Sequence, residues 1–464
     1  MRKTVFGCLG AAAVAFALQL TPANVQAGFF NRCDPCEPVA CNPCDAVVCD
    51  PCDPRGNGCF DGCNDGCGPV RNGGWFLNGH MEAGFFANAH GRTSLYGGTN
   101  PAGSFNGGAM QGQILRGNTL TDHQGFRGMS GNTEYLQNTR LTGAQVNQVY
   151  LSMGKAVDGR RGLDLGGTVD FTWGSDAYRV QTRGMETMRG AEGEAYYGRW
   201  GSGDYFSAFA QAYVEAEFDR WNVKAGKFYA PFGTGYKSTD NFFYTWSPNV
   251  LISPTVAGGA YATYKVNNRL SVIGGWVTPS ELGESSKNNA FLGGFDFSPT
   301  KRFNLRYAFA AGEDTFRVAA GSRIDYYTHS FMATTQINKR LKYVFDWAYL
   351  ETRPKTAGNV VGANYAYGLN NEVIYQLNRN WAFGTRFGML RPGQMNGDAK
   401  VEWYNVSLGA NWTPNKWLTV KPEIRYDWTD KGNVAGRQWF GSLPHGGDSY
   451  TYQFSGGLSA IVQF

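Results

Sequence analysis

The last fifteen residues, 450–464, constrain the fold most strongly. Every even position there is apolar or glycine, while nearly every odd position is small or polar. The large apolar residues are Tyr450, Tyr452, Phe454, Leu458, Val462 and Phe464. Because successive side chains of a β-strand point to opposite faces, the pattern predicts one apolar and one wet face. Strands of soluble sheets usually have about 5–6 residues, whereas about 9–11 tilted residues cross a bilayer core. The stretch therefore predicts a membrane-spanning strand.

The composition favours a β-barrel over a helical membrane protein. Glycine (63), phenylalanine (31), tyrosine (25) and tryptophan (13) are abundant, yet the mean hydropathy is negative. A helical span needs about 20 mainly apolar residues, whereas aromatic girdles around a polar lumen are typical of transmembrane barrels. The 464 residues exceed one ordinary soluble core but suit a large barrel. The net charge of +5 is too small to indicate nucleic-acid binding.

The N-terminus has the features of a secretory signal peptide. Arg2-Lys3 provides a charged start, residues 4–20 are mostly apolar, and Val25-Gln26-Ala27 fits a small-residue cleavage site. The apolar run is short for a transmembrane helix. We therefore predict that 1–27 are removed and that the mature chain begins outside the cytoplasm.

Residues 28–74 form a cysteine-rich arm ahead of the predicted strands. Nine of the ten cysteines lie here: Cys33, Cys36, Cys41, Cys44, Cys49, Cys52, Cys59, Cys63 and Cys67. Three successive C-x-x-C pairs could bind a metal in a reducing compartment, but disulfides are the commoner outcome after export. Because nine is odd, at least one thiol is free or bonded to another chain. A disulfide-stiffened periplasmic tether or cross-linking arm is favoured, with a metal site and a passive spacer as the alternatives.

The alternating pattern recurs in sixteen stretches from Trp75 onward. They are 75–88, 145–155, 163–173, 206–218, a fifth from Trp221, 256–266, 268–278, 289–297, 301–311, 325–337, 340–351, 361–377, 380–390, 402–413, 417–428 and 450–464. In the fifth stretch Lys227 falls on the lipid-facing register. A bulge or a side chain that reaches the membrane interface would accommodate it.

The connections alternate between short and long. Tight polar turns such as Asp219-Arg220 follow the even stretches, whereas longer loops, including 90–143, 174–204, 230–255 and 429–448, follow odd ones. Outer-membrane barrels have short periplasmic turns and longer outer loops. The sequence therefore predicts an all-β, transmembrane, antiparallel up-and-down barrel of about 16 strands over 75–464, in the outer membrane of a diderm bacterium. Seven turns and eight loops would place both termini in the periplasm.

Three blocks of the strand region carry a family resemblance. They are VYL (149–151) with GLDLGGTVD (162–170), VKAGKFYAPFG (223–233) followed by NFFY (241–244), and ATYK (262–265) running through NRLSV (268–272). Over roughly 75–464 the chain resembles the OmpL-like β-barrel porins, a family also called β-barrel porin 2. The resemblance implies an outer-membrane porin without a well-defined substrate, and residues 28–74 lie outside it.

The loop after the fifth strand, about 231–255, is the candidate constriction. In sixteen-stranded porins in general this loop folds inward and narrows the pore. Its candidate residues here are Lys237, Asp240, Phe242, Phe243, Tyr244 and Trp246. With only two charged residues, the loop differs from the acidic constriction loop of general diffusion porins. The aromatic residues either form a slide for a sugar-like or apolar solute or pack the loop against the barrel wall.

Charged residues on the inward register are candidates for the pore lining. They are Glu82, Asp164, Asp170, Glu215, Glu217, Arg306, Lys342, Asp346, Glu372, Arg386, Lys421, Glu423, Arg425 and Asp427. An acidic wall that faces a mixed, more basic one would set up a field across the pore. The alternative is that these charges only solvate the interior and pair with each other.

The predicted function is passive diffusion of small hydrophilic solutes through a water-filled channel, since about sixteen strands leave an aqueous lumen. The alternative is a structural or adhesive barrel anchored or cross-linked through the cysteine arm. The sequence contains no G-x-S-x-G, H-E-x-x-H or Walker motif, so we predict no enzyme, no cofactor and no metal site in the barrel. Expected partners are outer-membrane lipid and the barrel assembly machinery, for which Phe464 would be the signal. A homo-oligomer and a disulfide-linked partner remain open.

Overall fold

The computed structural model describes residues 74–89, 143–159, 162–182, 185–189, 196–198, 201–202, 205–233, 235–279, 289–314, 323–356, 359–360, 364–392, 402–430, 433–434, 437–438 and 451–464. The predicted signal peptide, the arm 28–74 up to position 73 and all ten cysteines lie outside these residues. The predictions on them therefore stay predictions.

Sixteen long strands make up the molecule. They are β1 Trp75–Asn88, β2 Gly143–Lys155, β3 Asp164–Gly174, β4 Tyr205–Phe218, β5 Trp221–Tyr229, β6 Val256–Asn267, β7 Leu270–Pro279, β8 Asn289–Thr300, β9 Phe303–Asp314, β10 Arg323–Gln336, β11 Leu341–Thr356, β12 Asn364–Gln376, β13 Trp381–Pro392, β14 Trp403–Asn415, β15 Leu418–Thr429 and β16 Tyr452–Gln463. Short two- and three-residue strands occur in the long loops.

The strands close into one barrel. Each long strand pairs antiparallel with its sequence neighbours, and β1 pairs with both β2 and β16. At the seam the N–H of Gly79 donates to Phe464 O and the N–H of Phe464 donates to Gly79 O, both at 3.0 Å. Closure leaves no unpaired sheet edge in the wall. The predicted antiparallel barrel of sixteen strands is confirmed.

None of the described helices has the length and apolar character that a membrane span requires.

On β16 the register follows the predicted alternation, whereas on β4 Phe206, Ala208 and Ala210 are buried because the β3–β4 ladder shifts register. On β16 the side chains of Tyr452, Phe454 and Leu458 are exposed on the outer surface, whereas Ser455 and Ser459 are buried inside. Aromatic side chains stack on both ends of the outer surface. Near the turns the ring centroids of Trp381 and Trp412 lie 5.9 Å apart. Near the long loops those of Tyr404 and Trp428 lie 5.5 Å apart. These bands correspond to the two aromatic girdles of a membrane barrel.

Asparagine side chains fix four of the short turns. In each turn the asparagine Oδ1 accepts the backbone N–H groups of the second and third following residues, at 2.8–3.1 Å. The four residues are Asn267, Asn338, Asn378 and Asn415. Such Asx-type bonds satisfy backbone donors that the ladder leaves free.

Lys227 does not reach the membrane interface. The β4–β5 ladder runs without a register shift to Lys227, which lies opposite Ala212. The side chain is nevertheless fully buried, and its ammonium donates to Glu186 Oε1 and Val180 O, both at 2.7 Å. Both acceptors belong to the loop after β3. The predicted reach to the membrane interface is therefore wrong, because a loop carboxylate neutralises the lysine inside the protein. Local irregularities do lie beside it: Gly226 has a φ of 134°, and the β3–β4 ladder shifts register between Asp170 and Phe171.

The lumen is apolar in the half nearer the long loops. Buried inward side chains there are Phe228, Ala257, Val277, Leu292, Ala310, Leu350, Leu390 and Trp403. Phe232 and Ile252, from the loop after β5, complete this cluster. Hydrophobic burial therefore draws that loop into the barrel.

Candidate channel constriction

L3, the loop 230–255 between β5 and β6, lies inside the barrel. All side chains from 241 to 249 are buried, and the 3₁₀ helix Pro248–Leu251 follows on the returning arm. A loop that leaves the ladder carries unpaired backbone groups, which must find partners when they are buried. Inward side chains of the opposite wall supply several of these partners.

Two charged residues of β15 hold the tip of L3. Lys421 Nζ donates to Ser238 O at 2.6 Å and also to Asn241 O. Glu423 accepts the backbone N–H of Thr245 at 2.6 Å and its hydroxyl at 2.8 Å. Hydrogen bonds to ionised groups are shorter and stronger than neutral ones. These side chains therefore act as anchors for the loop.

Two arginines complete the attachment. Arg386 of β13 donates to Thr245 O at 2.7 Å and to Asn241 Oδ1 at 3.0 Å. Arg425 of β15 donates to Thr245 Oγ1 and to Trp246 O, both at 3.0 Å. The turn of L3 at 241–246 is thus bound by four side chains of one wall, one from β13 and three from β15.

Carboxylates neutralise the same arginines within the wall. Arg386 Nε lies 3.0 Å from Glu372 Oε1, and Arg425 Nη2 lies 2.7 Å from Asp427 Oδ1. All four side chains are at most 7% exposed. Each guanidinium therefore joins a carboxylate on one side to a loop carbonyl on the other, which satisfies a charge that would be costly if buried alone.

Glycines on the wall accommodate the aromatic residues of L3. A Cβ at Gly384 would lie 2.4 Å from Phe242, and one at Gly409 would lie 2.9 Å from Phe243. A Cβ at Gly457 would lie 2.4 Å from Tyr244. Phe242, Phe243 and Tyr244 are at most 8% exposed, and Trp246 is 1% exposed. These aromatic side chains pack the loop against β13, β14 and β16. This arrangement agrees with the alternative in which they hold the loop on the barrel wall rather than form a slide for a solute.

The opposite edge of L3 contacts β2. Gln148 Nε2 donates to Tyr236 O at 3.0 Å, and Gln148 Oε1 accepts the N–H of Ser238 at 3.0 Å. The hydroxyl of Tyr244 donates to Asn147 Oδ1 at 3.2 Å. L3 is therefore attached to both sides of the barrel seam.

The loop after β3 packs beside L3. Its 3₁₀ helix Ser175–Val180 is buried, and Gln148 Nε2 also donates to Asp176 Oδ2 at 3.3 Å. Burial raises the pKa of Asp176 to about 8, and the guanidinium of Arg179 opposes this rise. Arg179 itself lies 4.4 Å from the ring centroid of Trp246. The two loops therefore form one buried unit against β1, β2 and β13–β16.

The predicted pore-lining residues all face inward, but they fall into two groups. Ten are buried in the wall: Glu82, Asp170, Glu217, Asp346, Glu372, Arg386, Lys421, Glu423, Arg425 and Asp427. Four keep more solvent contact: Asp164, Glu215, Arg306 and Lys342. The register alone does not distinguish these groups, because the difference depends on where L3 and the loop after β3 lie.

Partly exposed charged side chains of the lumen lie on β4–β6, β8 and β9, in the half nearer the short turns. Three cross-strand ion pairs lie there: Glu215–Lys224 at 3.4 Å, Glu217–Lys265 at 3.0 Å and Asp296–Arg306 at 2.7 Å. Lys237 and Asp240, the two charged residues of L3, also retain solvent contact. The ammonium of Lys237 lies 5.2 Å from the ring centroid of Tyr150.

Several residues of this site were not predicted from the sequence. Gln148, Asn147 and Thr245 hold L3 through uncharged groups that alternation does not single out. The wall glycines had one visible signal. Gly384 and Gly409 occupy inward positions of long strands, where a missing side chain often marks a close approach of another segment. No group of three or more metal-binding His, Cys, Asp or Glu side chains occurs within the described part of the chain.

Solved structures of outer-membrane proteins share this barrel fold. The outer membrane channel DcaP of Acinetobacter baumannii superposes with a TM-score of 0.52 at 11% identity, over 86% of this chain and 99% of the other. An anion-selective porin from Comamonas acidovorans gives a TM-score of 0.49 at 8% identity, over 84% of this chain and 99% of the other. At such identities the likeness concerns the fold. A search of functionally described proteins finds no match to the sequence.

The sequence itself matches a family model. The model describes the putative beta-barrel porin-2, OmpL-like proteins and matches residues 117–464. The match covers the constriction loop, the anchoring strands β13–β15 and the closing strand β16. It confirms the family expected from the sequence blocks. The chain thus belongs to the OmpL-like β-barrel porin-2 family, and it is an outer-membrane porin whose barrel forms a channel for small hydrophilic solutes.

Proposed function

We propose that solutes cross this porin off the barrel axis, between L3 and the inward face of β4–β10. The supporting observation is the contrast in exposure between the two walls. Lys265 and Arg306 are 31% and 38% exposed, whereas Arg386 and Lys421 are 1% and 3% exposed. Charged side chains of β13 and β15 bind L3, and they therefore do not face the proposed passage.

The charges that border this passage occur mostly as opposite pairs. Each of the pairs Glu215–Lys224, Glu217–Lys265 and Asp296–Arg306 joins neighbouring strands or strands one apart. Opposite charges a few ångströms apart largely cancel each other's field at longer range. We therefore expect weak ion selectivity and passage of small hydrophilic solutes without one preferred charge.

Planar-bilayer recordings with a salt gradient test the route. Lys265→Glu combined with Arg306→Glu should shift the reversal potential towards cation selectivity, because both side chains border the passage. Arg269→Glu is the matched control, since Arg269 is exposed in the turn before β7. If the double variant conducts with an unchanged reversal potential, the solute route lies elsewhere in the barrel. An absence of stepwise conductance would instead favour the structural or adhesive barrel.

Both termini are proposed to lie in the periplasm, on the side of the short turns. The predicted cysteine arm would then extend into the periplasm. A change from multimer to monomer on reducing gels would support a cross-linking arm, and identical migration would remove that role. A homo-oligomer held by other contacts would persist under reducing conditions.

Phe464 is proposed to serve as the signal for the assembly machinery. Its backbone closes the seam with Gly79, and a Cβ at Gly79 would lie 2.6 Å from the Phe464 ring. Normal assembly after deletion of Phe464 would leave only this structural role.

A further inference from the structure

Three buried oxygen atoms beneath the returning arm of L3 have no hydrogen-bond partner among the described residues. They are Asp346 Oδ1 on β11, Asn370 Oδ1 on β12 and Asn249 Oδ1 on L3. The three residues are at most 2% exposed. Asp346 and Asn370 lie directly opposite each other in the ladder. Asn249 Nδ2 donates to Asp346 Oδ2 at 3.0 Å and to Asp346 O at 3.1 Å. Buried polar atoms normally have partners, so this group indicates an additional occupant.

The amide orientations support oxygen as the unpartnered atom. The Nδ2 of Asn249 is held by Asp346, and the Nδ2 of Asn370 donates to Glu372 Oε1 at 3.1 Å. Turning either amide over would place an acceptor against an acceptor. Both amide oxygens are therefore acceptors without a donor.

The charges around Asp346 leave its carboxylate uncompensated. The nearby Glu372 is already paired with Arg386, at 3.0 Å. Within the described chain no lysine or arginine lies within 4.0 Å of the Asp346 carboxylate. An unpaired buried carboxylate is costly unless a cation or a proton neutralises it. A site of one carboxylate and two amide oxygens, with no nitrogen or sulfur, suits a hard cation.

Both arms of L3 converge on this position. On the outgoing arm the N–H of Gly233 donates to Ser330 Oγ at 3.0 Å, and a Cβ at Gly233 would lie 3.8 Å from Asp346 Oδ2. On the returning arm Asn249 packs against Gly368 of β12, where a Cβ would lie 2.1 Å from Asn249 Oδ1, so only glycine permits this amide to sit there. An ion held here would join β11, β12 and L3.

We propose that Asp346, Asn370 and Asn249 bind a calcium-type divalent cation that fastens L3 to the wall, with water as the remaining ligands. One carboxylate gives a weak site, comparable to the range of about 10⁻⁴–10⁻³ M found in extracellular modules. This inference concerns a binding site and holds whatever solute the channel passes.

Equilibrium dialysis of the folded full-length protein against ⁴⁵Ca²⁺, after removal of metal with EGTA, tests the site. The wild-type protein should retain one more calcium ion per chain than Asp346→Asn, a near-isosteric change that removes the charge. Asp296→Asn is the matched control, because Asp296 is an inward carboxylate that already pairs with Arg306. Asn370→Ala serves as a second variant, and heat-modifiable migration on gels verifies that each barrel is folded.

Two outcomes would overturn the proposal. Equal calcium retention in the wild-type protein, Asp346→Asn and Asn370→Ala would show that water or a proton fills the site. A loss of calcium in Asp296→Asn equal to that in Asp346→Asn would indicate diffuse binding by lumen carboxylates. In bilayers calcium should reduce the current noise of the wild-type channel about two-fold or more and leave the noise of Asp346→Asn unchanged.

Discussion

Replacement of Gly457 by alanine should disturb the attachment of L3 to the wall. A Cβ at this position would lie 2.4 Å from Cδ1 of Tyr244 and 3.0 Å from Cδ2 of Phe86. Carbon atoms in favourable contact are about 3.5–4.0 Å apart. Overpacking of a filled site costs about 1–3 kcal/mol, and about 1.4 kcal/mol is a tenfold change in an equilibrium. The equilibrium ratio of docked to undocked L3 should therefore fall by a factor between about 5 and about 150.

The neighbouring Gly456 provides a matched control. A Cβ there would have ordinary contacts, at 3.5 Å from Glu423 O and 3.9 Å from Ile424 Cγ2. In single-channel recordings Gly457→Ala should show brief closures and a lower mean current, because a displaced L3 moves towards the passage. Gly456→Ala should behave like the wild-type channel.

A double-mutant cycle locates the cause. Truncation of Tyr244 to alanine removes the ring that the new methyl group would meet, so Gly457→Ala should have little further effect in that background. The reasoning would be refuted if Gly457→Ala and Gly456→Ala gave the same currents. It would also be refuted if the defect of Gly457→Ala persisted in full without the Tyr244 ring.

Three further outcomes are expected. Arg425→Met should cost about 3–5 kcal/mol in urea unfolding, since it leaves a buried carboxylate unpaired, and exposed Arg302→Met should cost far less. Lys227→Met should destabilise the barrel similarly, and adding Glu186→Gln should restore most of the loss. Because burial raises the pKa of Asp176 to about 8 from 3.8, thermal stability should fall as pH rises from about 4 to about 8; Asp176→Asn should flatten that profile.

The wall of the barrel could be predicted from the sequence because the pattern that specifies each strand lies within that strand. Each strand alternates over about twelve residues, and the number of strands and the connection lengths agree with one topology. A shift by one residue would turn every side chain to the wrong face, so the alternation also fixes the register. The inward and outward residues of β15 and β16 follow directly from this rule.

The position of L3 could not be predicted in the same way. Its contacts join residues far apart in the sequence: Thr245 and Glu423 are separated by 178 positions and Lys421 and Ser238 by 183. No periodicity within a loop indicates which distant strand supplies a partner. Carbonyl acceptors contribute many of these contacts, and every residue has one, so the sequence does not single them out.

Alternation predicts which face a charge occupies but not what covers it. Glu217 and Glu423 are both inward glutamates on long strands, yet Glu217 pairs with a partly exposed lysine and Glu423 binds the backbone of L3. The first belongs to the proposed passage and the second to its support. Neutralising Glu217 should therefore change ion selectivity and leave the position of L3 intact, whereas neutralising Glu423 should loosen L3 and change conductance. A field across the pore cannot be derived from all inward charges together, because only those left uncovered by L3 face the solute.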